Sequence, residues 1–153
     1  MRVALYQPEI AGNVGAIIRL CACLGVALDI VEPCGFIWSD KALKRAGMDY
    51  HQVANVHRHV DWDRFRATVP GRLILMTTRG ALSLTDVNFA PDDILLFGQE
   101  SSGAPDHIHQ QAALRAVIPL VPGVRSLNLA VTAGIALHEA LRQTAKLPLA
   151  KLA

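Results

Sequence analysis

Residues 118–143 read IPLVPGVRSLNLAVTAGIALHEALRQ. The order is a short apolar strand, a Pro/Gly loop carrying one arginine, and a long helix. Ser126 stands directly before the apolar run, where a helix N-cap belongs. The helix it would open is apolar almost without a break to Leu137, and Ala130, Ala133, Gly134, Ala136 and Ala140 are small. A helix that is apolar on every face must be covered on most sides. Small residues let other backbones approach closely, which suits a buried interface. Arg125, Ser126 and Asn128 sit at the mouth of this helix. A covered helix with a polar, backbone-rich entrance has the form of a ligand site.

Outward from this stretch, short apolar runs alternate with helical patterns. Strands are expected at 2–6, 27–31, 53–56, 73–77, 94–97 and 116–120. Helices are expected at 13–25, 40–46, 62–68, 106–112 and 126–146. Such alternation argues for an α/β fold, a mostly parallel sheet with helices on both faces. No Pro/Ser-rich linker divides the chain, and the segment after Pro148 is too short for a domain. A single domain over 1–153 follows, long enough for a real core.

Composition narrows the function classes. The net charge is only +2, so bulk electrostatics do not proclaim nucleic-acid binding. No apolar run reaches the roughly 20 residues a membrane span needs. The start, MRVALYQPEI, meets polar residues too soon for a signal peptide and reads as a first strand. Three cysteines with no paired spacing point to a reducing compartment, with the cytoplasm as the expectation.

In open parallel sheets, ligands bind beyond the carboxyl ends of the strands. Three expected strands here run into unusual loops: Thr78-Arg79-Gly80, Gly98-Gln99-Glu100-Ser101-Ser102-Gly103, and Val121-Pro122-Gly123-Val124-Arg125. Glycine permits close backbone approach to a ligand. Any one of these loops alone reads more readily as an ordinary turn. Three together, all after strands, point to one shared site.

Several chemistries are excluded by pattern. Gly12-Asn13-Val14-Gly15 is not GxGxxG, and no GxxxxGK[ST] occurs. Cys21 and Cys23 lie two apart on a helix and do not share a face, so they read as packed thiols rather than metal ligands. His57-x-His59 and His107-x-His109 have nothing to complete a metal set and read as surface or RNA-facing residues. No metal site is expected. Ser101 and Ser102 lack the GxSxG context of a hydrolase nucleophile.

Two basic features remain. Arg19 lies mid-helix in NVGAIIRLCACLG and shares a face with Gly15, Ala22 and Cys23. That shelf lets a guanidinium lie close to backbone or to a facing subunit. A solvated arginine, or a partner for a buried carboxylate, fits equally. Lys41, Lys44 and Arg45 share a second helical face, flanked by Trp38 and Tyr50. Basic side chains with aromatics suit phosphates and bases, although short charged runs are commonly plain solvated faces.

Together these segments resemble the SPOUT superfamily of S-adenosylmethionine-dependent RNA methyltransferases. Within its TrmH family they look like the TrmL (YibK) branch, whose members methylate the ribose 2′-hydroxyl of the wobble nucleotide of tRNA. LYQPEIAGNVGAIIRLCACLG resembles the first motif, with Asn13, Gly15 and Arg19 in place. LLFGQESSGAP resembles the second, with Gly98, Glu100 and Gly103. IPLVPGVRSLNLA resembles the third, with Pro119, Arg125, Ser126 and Asn128. KRAGMDYH resembles a stretch typical of this branch. The likeness covers nearly the whole chain, with no appended RNA-binding domain.

The resemblance implies a SPOUT fold with a C-terminal trefoil knot, and S-adenosylmethionine as methyl donor. It implies donor contacts at Met76, Thr77, Gly98, Glu100, Ile118, Leu120, Ser126 and Leu127, and a catalytic role for Arg19. Expected RNA contacts are Asn13, Lys44, Arg45 and Arg125. The implied partners are the tRNA anticodon stem-loop and a second copy in a homodimer, with the active site near the subunit interface and no membrane. Two departures stand out. Ala130-Val131 replaces a Ser-Asn common in the third motif, and Ser101-Ser102 lies where an arginine is often seen. Rival readings are a ribose methyltransferase for another tRNA or rRNA position, a non-catalytic RNA-binding module, and a domain that binds a small ligand without turnover.

Overall fold

Among the described residues each strand ladder is parallel, since every connection carries the chain back to the same end of the sheet. The structure is a computed structural model and describes residues 1–39, 54–80 and 82–149. The strands are β1 Arg2–Tyr6, β2 Ala27–Val31, β3 Val56–His59, β4 Leu73–Met76, β5 Leu82–Ser83, β6 Ile94–Phe97 and β7 Leu114–Val117. The helices are α1 Ala11–Leu24, α2 Trp62–Thr68, α3 Asp106–Gln111 and α4 Leu129–Gln143, with a 3₁₀ turn at Leu84–Asp86. The sheet runs β3-β2-β1-β6-β4-β7-β5, and its ladders are parallel throughout.

Both faces of this sheet are covered, which is why its central strands are continuous apolar runs rather than alternating ones. Side chains nevertheless alternate between two cores. Val3, Leu5, Ile74, Met76, Leu95 and Phe97 pack with Ile17 and Ile18 of α1 and Leu137 and Leu141 of α4. Ala4, Leu73, Leu75, Ile94 and Leu96 pack with Trp62 and Phe65 of α2 and Ile108 of α3. Local signals set the helix ends. Gly25 closes α1 in the left-handed conformation, φ 67°, where a side chain is penalised. The Asp61 carboxylate opens α2 by accepting from the Arg64 N–H at 2.8 Å.

The C-terminal stretch differs from its sequence reading in three ways. First, α4 starts at Leu129, not at 126, and its cap is Asn128 rather than Ser126. Asn128 Oδ1 accepts from the N–H groups of Ala130 at 2.8 Å and Val131 at 3.3 Å. Second, the preceding strand is Leu114–Val117, not 116–120, because β7 pairs through Arg115 and Ala116 and Pro119 has no N–H to extend the ladder. Third, α4 is covered on one side only. Ala133, Ala136, Leu137, Ala140 and Leu141 are buried, while Val131 and Ile135 are 50% and 42% exposed.

Other expectations shift as well. β5 and the 3₁₀ turn are too short to register as patterns. Cys21 is packed as expected, but Cys23 is exposed. His59 is not a surface residue: its Nε2 lies 2.8 Å from Asp29, which is fully buried and also accepts two hydrogen bonds from Arg2. The strand expected at 53–56 lies three residues later, at Val56–His59, while the helix expected at 40–46, with Lys41, Lys44 and Arg45, lies outside the described residues. Among the described residues no helix is long and apolar enough to cross a membrane.

Candidate functional site

The three loops predicted to share a site converge on one cleft of about 520 Å³ at the carboxyl edge of β4, β6 and β7. Met76 and Thr77 come from the end of β4, Gly98 and Glu100 from the loop after β6. Ile118, Leu120, Ser126 and Leu127 come from the long loop between β7 and α4. All eight line this cleft, joined by Asn13 at the start of α1 and by Arg125. Arg19 does not line it. It is exposed further along α1.

Close backbone contact shapes the walls. A Cβ on Gly98 would lie 2.3 Å from the Gly103 carbonyl carbon, so no side chain fits there. The loop closes on itself there: Gln99 N–H donates to Gly103 O at 3.0 Å and Gly103 N–H to Gln99 O at 2.9 Å. Beside it, Thr77 N–H donates to Ala116 O at 2.9 Å, which holds the β4 loop against β7.

A polar chain ties the three segments together. The Glu100 carboxylate accepts from Glu9 N–H at 2.8 Å, Ile10 N–H at 3.3 Å and Asn13 Nδ2 at 3.0 Å. Ile10 offers no side-chain cap to α1, whose first turn has no acidic residue. Glu100 supplies the missing acceptor and the negative charge that a helix N-terminus favours. Asn13 Oδ1 in turn accepts from Asn128 Nδ2 at 2.9 Å, and Asn128 caps α4. Glu9 completes the clasp, accepting from the Ser101 N–H and hydroxyl, both at 2.7 Å. The Ser101 hydroxyl and then its N–H hold the Glu9 carboxyl below its usual range.

Asn13 is buried, and both ends of its amide are engaged within the chain, where it braces the start of α1 against Glu100 and Asn128. Glu100 borders the cleft, but its oxygens are turned to α1. Sequence reasoning missed the role of Glu9 and read Asn128 as part of the polar mouth and of the third motif, not as the cap of α4. The signal for Glu9 and Glu100 was there: a helix that begins at an uncapped isoleucine needs acceptors from another segment.

Much of the cleft rim is apolar and open. Leu120 and Leu127 are 38% and 37% exposed. His109 of α3 also lines the cleft and, contrary to the sequence reading, is buried. Its Nδ1 is the one buried side-chain polar atom without a partner among the described residues. Burial first, then Arg79 and Arg115, holds this imidazole below the usual histidine range. No cluster of three or more His, Cys, Asp or Glu residues with metal-binding spacing occurs among the described residues.

A parallel sheet whose strand-end loops fold back to make a backbone-lined cleft defines the class. The chain belongs to the SpoU rRNA Methylase family, whose pattern matches residues 1–138. It is 51% identical over 148 residues to the tRNA (cytidine(34)-2′-O)-methyltransferase of Beijerinckia indica, covering 95% of this chain and 92% of that protein. A solved structure described as giving structural insights into the 2-OH methylation of C/U34 on tRNA matches with a TM-score of 0.89 at 40% identity. That match covers 93% of this chain and 94% of the other. An AdoMet-bound rRNA methyltransferase from Sinorhizobium meliloti matches with a TM-score of 0.82 at 27% identity, over 92% of this chain and 55% of that one. The family resemblance drawn from the three motifs is borne out, as is the mostly parallel α/β fold.

Proposed function

We propose that this chain transfers the methyl group of S-adenosylmethionine to the ribose 2′-hydroxyl of the wobble nucleotide, cytidine or uridine, of tRNA. One observation carries the reading: eight positions expected at the ends of three separate strands line a single cleft. Its volume falls within the roughly 300–1,000 Å³ of small-molecule sites. The relatives that act on nucleotide 34 support the choice of substrate.

Met76, Thr77, Ile118, Leu120, Ser126 and Leu127 would hold the donor, with Gly98 giving it backbone access and Glu100 keeping the loop in shape. Backbone groups of apolar residues can read adenine without polar side chains. The donor's sulfonium supplies an already activated methyl group. What remains for the protein is to align the 2′-oxygen and stabilise the charge that develops on it. Arg19 is our candidate for the second task. A guanidinium stays protonated below a pH of about 12 and has no lone pair to act as a base. It clamps the adjoining phosphate and stabilises the 2′-oxyanion, and water or a substrate phosphate takes the proton.

Arg19 does not line the cleft of its own chain, so the reading includes a homodimer in which it serves the cleft of the second copy. Ile10, Leu127, Val131 and Ile135, all substantially exposed, are the apolar surface that such a partner would cover. The anticodon stem-loop is the RNA partner, with Lys44, Arg45 and Arg125 as its contacts, and the cytoplasm is the compartment. The C-terminal trefoil knot belongs to the same reading, supported by the interleaved strand order β6-β4-β7-β5. The deciding experiment is methylation of total tRNA with labelled donor, followed by nuclease mapping. We expect the label on the ribose of nucleotide 34. Label at another position, or none, overturns the assignment.

A further inference from the structure

A second cavity, of about 700 Å³, adjoins the cleft and shares two wall residues with it, Arg79 and His109. Its other walls include Asp106 and Gln110 of α3 and Arg115 of β7. Two arginines and an imidazole therefore face a single carboxylate. That carboxylate, Asp106, pairs with Arg79 at 2.9 Å, but the two side chains are 81% and 59% exposed. So exposed a pair is weak and readily exchanged for another anion. Arg115 is exposed on β7 near one edge of the sheet and makes no ion pair among the described residues.

His109 forms part of both walls and is otherwise buried, so its ring reports on what occupies the cavity. Arginine forks match the oxygens of a phosphodiester in a bidentate manner. Phosphate contacts, not base contacts, fix the register of a nucleic acid on a protein. A ribose presented to the cleft carries phosphates on both flanks, so its strand must leave along one of the walls. With a net charge of only +2 on the whole chain, a local cationic wall decides which one.

We propose that the Arg79–His109–Arg115 cavity holds a backbone phosphate of the RNA whose ribose enters the adjoining cleft. This rests on the reading of that cleft as the methyl-transfer site. Arg115 is the clean probe, because it lines the second cavity and not the first. Arg115→Ala should keep its thermal melt and its affinity for S-adenosylmethionine. Its binding to total tRNA should weaken several-fold, and the slope of log affinity against log salt should fall by about one. Arg115→Lys should recover that slope. An unchanged slope in Arg115→Ala overturns the proposal. If the unmodified chain binds no tRNA, the functional reading falls instead, and inorganic phosphate then decides whether the cavity is an anion site. Saturable shifts of the His109 ring resonances that Arg115→Ala abolishes would establish one, and resonances that stay fixed would remove it.

Discussion

Glu9 and Glu100 hold each other's loops. Glu100 accepts a hydrogen bond from the Glu9 backbone N–H at 2.8 Å, and Glu9 accepts one from the backbone N–H of the next residue, Ser101, at 2.7 Å. The two lie 91 positions apart, yet each carboxylate satisfies a donor on the other's segment. This reciprocal clasp sets the distance between the start of α1 and the loop that forms one wall of the cleft.

Losing the Glu100 half strands the N–H groups at the α1 N-terminus. Glu100→Ala should cost about 1–3 kcal/mol in urea unfolding, the range for leaving a buried donor unpaired, and should weaken donor binding by calorimetry. The Glu9 half is legible through pH. Its carboxyl is lowered in the folded state, with Ser101 as the main cause. It therefore stabilises the fold above its ordinary pKa, and that gain disappears as pH falls through the lowered value. The stability gap between wild type and Glu9→Gln should be present at neutral pH and close in acid. A gap that does not change with pH would remove the carboxylate from the account.

Gly98→Ala tests the shape of the cleft directly. The added methyl would sit 2.3 Å from the Gly103 carbonyl carbon and 2.4 Å from the Ala104 nitrogen. Both are backbone atoms, so no rotamer relieves the clash. We expect a loss of about 1–3 kcal/mol or more and donor binding too weak to measure. Near-normal calorimetry with this variant would show that the loop opens easily and that its tight closure is not needed.

The pattern of what was legible follows from burial. Runs 2–6, 27–31 and 94–97 matched strands β1, β2 and β6 residue for residue, because strands covered on both faces must be apolar throughout. The start of α4 was missed because Ser126 and Asn128 are both competent caps. The Asn128 side chain is fixed by donating to the Asn13 amide oxygen, a contact with a distant segment that the local sequence does not show. The site's members were legible as loops after strands, whereas the Glu9–Glu100 clasp depends on contacts between distant segments that no local pattern carries. His109 escaped for a related reason: a six-residue helix gives too little periodicity to tell its buried face from its open one.

The cysteines report on packing without touching chemistry. Cys21 is buried, and burial, with a smaller contribution from Asp29, pushes its thiol up to about 12. Cys34 is pushed up to about 11, again mainly by burial. At pH 8 neither carries appreciable thiolate, so alkylation of both should be slow in the native chain and fast in denaturant. Cys23 is exposed and shares a helix face with Arg19. If a second copy covers that face, its alkylation should slow as protein concentration rises. Fast labelling at every concentration, followed by mass spectrometry, would argue against such cover.

Arg19 provides the sharpest test of how two copies would share the work. It is exposed on α1 and does not line the cleft formed by its own chain. Arg19→Ala should abolish methyl transfer while leaving donor affinity intact. Mixing it with a chain whose cleft is spoiled by Gly98→Ala should restore activity. In a mixed dimer, the intact cleft of the Arg19→Ala chain would then face the intact Arg19 of its partner. If each arginine served its own cleft, neither half of the mixed dimer would be complete. The assay is tRNA methylation after the two variants have been unfolded together and refolded, with each refolded alone as the control. Mixtures as inactive as the separate variants would place Arg19 in its own cleft, or outside the reaction.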